Sequence, residues 1–208
     1  MSRERTGELT TTSFAILGLL AIKQWSTYEL AKQMRRTFHY VWPRAESNLY
    51  VEPKKLVAHG LARADAEPRG KRRRTVYSIT PAGRRGLATW LAEPPEAPRY
   101  ESEALIKIIF ATYGTRDDLL RTLHAFRADA ANRHAELTAM FQSYVDGDDP
   151  YPARTHVNAL ASRLSLSVAA VEIEWADWAI DEAQSWKDVS PPADRDRFLE
   201  IIRASLRR

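Results

Sequence analysis

Five cations fall within six residues at Arg69, Lys71, Arg72, Arg73 and Arg74. Charges packed this closely repel one another, and a polyanion such as a nucleic-acid backbone relieves that repulsion. A solvated turn is the alternative, and the position of the cluster in the fold decides between the two. The other reactive residue types point to no chemistry. There is no cysteine, so no disulfide, thiolate nucleophile or cysteine metal site can form, which fits a reducing compartment. The five histidines, His39, His59, His124, His134 and His156, are scattered, and the one helically spaced pair is ten residues apart, which is not a metal-ligand spacing. Asp117-Asp118 and Asp148-Asp149 fall at expected helix ends, where capping and turns account for them. No glycine-rich phosphate loop and no catalytic triad pattern is present. The expectation is a binding protein, not an enzyme, that uses no cofactor and no metal.

The net charge of +4 hides an asymmetry. Up to residue 93 there are 17 Lys and Arg against 8 Asp and Glu; beyond it there are 14 against 19. A basic half joined to an acidic half implies that only the first meets a polyanion. The apolar run Phe14–Ile22 falls well short of the roughly 20 residues that span a bilayer. It follows a polar, mixed-charge start and precedes no small-residue cleavage site. Neither a signal peptide nor a membrane segment is expected, and the location implied is cytoplasmic and nucleoid-associated.

The cationic cluster needs elements to hold it. Residues 1–11 are polar and aperiodic, a flexible arm. Residues 12–23 form a helix apolar on most faces, central to a small core. Ser26 and Glu29 match a capping box that opens a second helix over 27–36. A third helix runs over 45–59 and is closed by Gly60. Pro53 falls inside it, so the helix either kinks or starts late. Two short strands, 61–66 and 75–79, flank the cations, so the cluster is the tip of a hairpin. Thr80-Pro81 then caps a fourth helix. Helix, helix, helix, hairpin, helix is the order of a winged helix-turn-helix, whose third helix fits the major groove while the wing reaches phosphates or the minor groove. The fold class expected is mostly α with a small β-hairpin.

The segments SFAILGLLAIKQWSTYELAKQM, ESNLYVEPKKLVAHGLA and PRGKRRRTVYSITPAGRRGLATWL resemble the DNA-binding domain of PadR-like transcriptional regulators. The acidic half, notably SEALIKIIFA, resembles the longer C-terminal domain of such proteins. The resemblance implies a homodimer, a repressor-type role at a palindromic operator on double-stranded DNA and, in some members, a small-molecule effector that releases DNA. By position it places Ser47, Asn48 and Tyr50 near the groove, with Lys54 and Lys55 toward the backbone. Asn48 can read adenine and the Tyr50 hydroxyl can reach phosphate; core packing is the alternative for Tyr50. Arg84 and Arg85 either touch phosphate or sit on a solvated face.

A proline-rich linker over 94–100 separates the winged domain, 12–93, from a helical, coiled-coil-like domain over 101–208. A short helix over 101–112 buries Leu105, Ile108 and Ile109. Two long helices follow, with apolar residues at steps of three and four. They pack on each other or on a twofold copy, and a dimer interface is expected at Leu119, Leu123, Phe126, Leu164, Val168 and Val171. Trp90, Trp175 and Trp178 either line an effector pocket or belong to core and interface. The competing reading is a protein-interaction module that uses the helical arm and has incidental DNA affinity.

Overall fold

Thr10 begins the first helix. Its hydroxyl accepts the Ser13 N–H, and Ser13 Oγ accepts the Thr10 N–H at 2.9 Å, a capping box with serine at the third position. The helix, α1 (Thr11–Ile22), buries Ile16, Leu17, Leu19 and Leu20 and forms the centre of the first unit. The computed structural model describes residues 8–39, 41–42, 50–69, 72–190 and 195–207. The chain divides into two compact units, the first ending at Pro98 and the second beginning at Arg99.

In the first unit, Ser26 and Glu29 form the expected box at the start of α2 (Thr27–Phe38), which buries Leu30, Ala31 and Met34. The segment before it, β1 (Trp25–Ser26), is a strand that two residues of sequence gave no sign of. The third helix, α3 (Glu52–Ala58), is shorter than the 45–59 expected. Pro53 lies in its first turn, where no intrahelical N–H bond is needed, so it neither kinks nor interrupts the helix. Residues 45–49 of the expected helix are outside the described residues. Gly60, at φ +70°, closes α3 in the left-handed region that favours glycine.

The hairpin is longer than 61–66 and 75–79. Its strands are β2 (Ala62–Arg69) and β3 (Arg72–Ile79), paired antiparallel in a sheet of order β1-β3-β2. Pro68 cannot donate to a ladder and is tolerated because β2 is an edge strand. Val76 and Tyr77 point to opposite faces of the central strand and both are buried. Thr80 then caps α4 (Pro81–Ala92): its hydroxyl accepts the Gly83 N–H at 3.0 Å and donates to the Gly60 carbonyl at 2.7 Å.

The second unit holds α5 (Glu103–Ile109), α6 (Arg116–Ser143), α7 (Thr155–Gln184) and α8 (Arg195–Ser205). Helices α6 and α7 run antiparallel: Leu119 and Leu123 meet Ile180 and Ala183 at one end, and Arg133 pairs with Glu172 further along. Ala130, Ala169 and Ala176 have no exposed surface, so small side chains let the two backbones approach along this seam. Ile109, expected in the core, is 72% exposed, because α5 ends after two turns and turns that face outward.

Candidate nucleic-acid interface

Helix α3 and the hairpin carry the residues expected at DNA. Tyr50, directly before α3, is 62% exposed, which removes the core-packing alternative and leaves its hydroxyl available at the surface. Lys54 is exposed in the first turn of α3. Lys55 is different: its ammonium lies 2.8 Å from Glu52 Oε1, on a carboxylate that is buried. Ser47 and Asn48 are outside the described residues.

In the wing, the hairpin register sets Arg69 opposite Arg72, Pro68 opposite Arg73 and Glu67 opposite Arg74. The structure therefore moves most of the cations from a loop onto paired strands. Lys71 lies outside the described residues, as does Gly70. Arg73 is exposed. Arg74 is half-buried and paired: its guanidinium donates to Glu67 Oε2 at 2.9 Å and approaches Glu29 Oε1 at 3.9 Å. Two carboxylates therefore compete with a DNA phosphate for this cation. Glu29 is kept ionised below the usual carboxylate range by the Ser26 hydroxyl and amide, with Arg74 and Lys23 adding to the effect. Sequence reasoning missed Glu67 and Glu29 as partners of the wing; once the hairpin register is known, Glu67 follows from cross-strand pairing. Arg84 donates weakly to the Ala21 carbonyl at 3.5 Å, near the end of α1.

The tryptophans fall in both units. Trp90 stacks flat on Phe14 in the first unit, with ring centroids 5.0 Å apart. In the second unit Trp175 meets the Phe126 ring edge-on at 5.2 Å, and Trp178 is 46% exposed. An open pocket of that unit, about 580 Å³, is lined by Tyr100, Lys107, Phe126, Asp129, Arg133 and Glu172 among others. At its floor the Tyr100 hydroxyl donates to Glu172 Oε1 at 2.7 Å, and Arg133 lies 2.8 Å from Oε2. Loss of solvation, followed by the neighbouring Glu172 carboxylate, pushes the Tyr100 phenol up to about 12.

Two of the residues expected at a dimer interface lie in the protomer's own core. Leu119 and Leu123 are buried against Ile180 and Ala183 of the same chain, so no second copy can reach them. Phe126 is half-buried on Trp175. Leu164, Val168 and Val171 do face outward from α7. Among the described residues no helix is long and apolar enough to cross a membrane, and no three His, Asp or Glu side chains converge as metal ligands.

A winged helix-turn-helix with a cationic hairpin, followed by a helical unit built on two long helices, matches two family descriptions. The PadR-like family of transcriptional regulators matches residues 16–89, and the C-terminal domain of virulence activator alpha matches residues 101–184. Residues 16–89 thus form a PadR-like domain. A probable transcriptional regulator of Mycobacterium tuberculosis is 28% identical over 66% of this chain and 71% of that protein. The negative transcriptional regulator PadR of Bacillus subtilis is 26% identical over 63% of this chain and 71% of that protein. Solved structures of the B. subtilis protein share the fold. Its complex with operator DNA superposes with a TM-score of 0.72 at 19% identity, covering 84% of this chain and 99% of that one. Its complex with p-coumaric acid gives 0.66 at 18% identity, covering 86% and 99%. The PadR-like domain, and relatives that are themselves named transcriptional regulators, put the chain in a non-enzymatic class of transcriptional regulators.

Proposed function

We propose that this PadR-like chain is a repressor that binds a palindromic operator as a homodimer, with residues 12–93 as the DNA-binding domain and residues 101–208 as the dimerisation domain. The observation that carries the reading is the pairing of an exposed helix start, at Tyr50 and Lys54, with a cationic hairpin in one winged unit. Ser47, Asn48 and Tyr50 read or approach the major groove. Arg69, Lys71, Arg72 and Arg73 engage phosphates or the minor groove, and sequence choice falls to the helix while the wing supplies affinity. The crystallised complex of B. subtilis PadR, a protein of the same fold, with operator DNA supports DNA as the partner.

The homodimer rests on α7. Val157, Leu160, Leu164, Val168, Val171 and Trp178 are exposed at steps of three, four and seven along this helix, an apolar stripe of the kind that pairs with a second helix. A twofold copy would set two winged units on half-sites one helical turn apart, about 34 Å. The complex of B. subtilis PadR with p-coumaric acid supports binding of a small-molecule effector, here taken to release the protein from DNA. The site of action is the cytoplasm, on the nucleoid.

Recovery of genomic fragments bound by the purified protein, followed by footprinting, tests the proposal. A pair of inverted half-sites upstream of a gene whose expression rises when the protein is deleted is the expected result. Absence of duplex binding at low salt would replace it with the interaction-module reading.

A further inference from the structure

We propose that Glu52 and Lys55 form an internal charge pair that fixes the aim of α3 and withholds Lys55 from the DNA backbone, leaving Lys54 as the phosphate-contacting lysine of that helix. The inference rests on the DNA-binding reading above and narrows it.

A glutamate at the first position of a helix ordinarily projects into water, where the partial positive charge of the helix start favours it. Glu52 turns inward and is only 1% exposed. The Ser13 hydroxyl of α1 donates to its Oε2, and the Lys55 ammonium sits 2.8 Å from its Oε1. Ser13 is itself fully buried and also accepts the Thr10 N–H at 2.9 Å, so the carboxylate is tied into the cap of α1. Both oxygens are therefore used, one by the neighbouring helix and one by the next turn of its own. A buried carboxylate is tolerated only with such partners, and removing one of them leaves an uncompensated charge.

Two consequences follow. The bond from Ser13 sets the rotation of α3 about its axis, and with it the direction of Lys54 and of Tyr50 just before the helix. The pair also neutralises Lys55, whose side chain is 23% exposed while Lys54 is exposed. Drawing Lys55 out to a phosphate would strand Glu52. Sequence-independent affinity grows with the number of cations offered to phosphates. Holding one back lowers attraction to any duplex without touching a base contact, and so raises discrimination. Glu52 is thus a positioning and specificity-setting residue, while Lys54 makes the contact.

The test combines salt-dependent binding to operator and random duplexes with lysine acylation of the free protein followed by mass spectrometry. Lys54→Gln is expected to flatten the slope of log Kd against log salt by about 0.9, the value of one phosphate contact. Glu52→Gln is expected to steepen that slope by about 0.9 and to reduce the operator-to-random affinity ratio, as Lys55 is released. An unchanged slope in a folded Glu52→Gln protein would overturn the proposal. Should that variant fail to fold, the double change Glu52→Leu with Lys55→Leu replaces the buried pair by apolar volume. Its slope should equal that of the unaltered protein; flattening like Lys54→Gln overturns the proposal. In the free protein, Lys55 should acylate more slowly than Lys54 and should quicken in Glu52→Gln; equal rates in the unaltered protein refute the pair regardless of DNA. If the unaltered protein binds no duplex, the DNA-binding reading and the withheld contact fail together, while the acylation pattern still judges the pair alone.

Discussion

Arg73 and Arg74 are adjacent in the chain and opposite in circumstance. Arg73 is exposed across from Pro68, whereas Arg74 is held by Glu67 at 2.9 Å. Arg73→Ala should flatten the salt slope of duplex binding by about 0.9, the loss of one phosphate contact. Arg74→Ala should leave that slope nearly unchanged and cost about 0.2–1 kcal/mol of stability, the range of a partly exposed ion pair; titrations at several salt concentrations and denaturant unfolding of both variants separate the two effects. Tyr100 offers a second residue-scale check. Its phenol is pushed up to about 12 in the folded protein by burial and by Glu172. A group whose folded value is raised contributes its stability in full below the unfolded value and loses it as pH climbs through the folded one. The contribution of Tyr100 is therefore complete below about pH 10, its unfolded value, and fades toward pH 12. Absorbance titration of the phenols should show a late component from Tyr100, and Glu172→Gln should bring that component to lower pH.

Elements are joined by contacts that leave little room. Gly83, third residue of α4, lies against the turn that follows α3: a Cβ built there would come within 2.0 Å of the Leu61 carbonyl oxygen and 2.8 Å of Ile79 Cγ1. Backbone cannot yield as a flexible side chain can, so Gly83→Ala should cost about 1–3 kcal/mol and lower the melting temperature of the first unit. The matching change Gly86→Ala meets only Leu61 Cδ2 at 3.6 Å and should be neutral or slightly stabilising, as replacing a helix-interior glycine usually is. Calorimetry on the pair tests whether the seat of α4 on the Leu61 turn holds the wing in place. Element types were legible in the sequence because each rests on local chemistry: a capping box, a Thr-Pro start, a β-branched strand, a glycine stop. Their extents were less so. Pro53 read as an obstacle within a helix over 45–59 and proves to occupy the first turn of α3, since only tertiary packing of Glu52 and Leu56 on the core decides where that helix begins. The two residues of β1 carry no strand pattern, and exist because Trp25 and Ser26 lie beside Tyr77 and Val76.

For the whole molecule the decisive question is which apolar surface meets a second copy. The seam of α6 and α7 is filled from within the chain, while Leu164 and Val171 remain 67% and 62% exposed. Leu164→Glu should shift the protein toward monomer in sedimentation and weaken operator binding. Its unfolding free energy as a monomer should stay within about 0.5 kcal/mol, because the substitution lies at a surface position of the protomer. A dimer undisturbed by this change would move the interface away from α7.

The sequence by itself determined the kinds of element, the winged order of the first half, the separation of a basic from an acidic half, and the cationic cluster between two strands. These follow from local rules of capping, periodicity and charge, which operate over a few residues. Only the tertiary structure decided which charges are spent inside the protein. Arg74 on Glu67, Lys55 on Glu52 and Arg133 on Glu172 depend on strand register, helix rotation and helix pairing. A cation's availability is a property of what folding places within a few ångströms of it, and no local pattern records that distance.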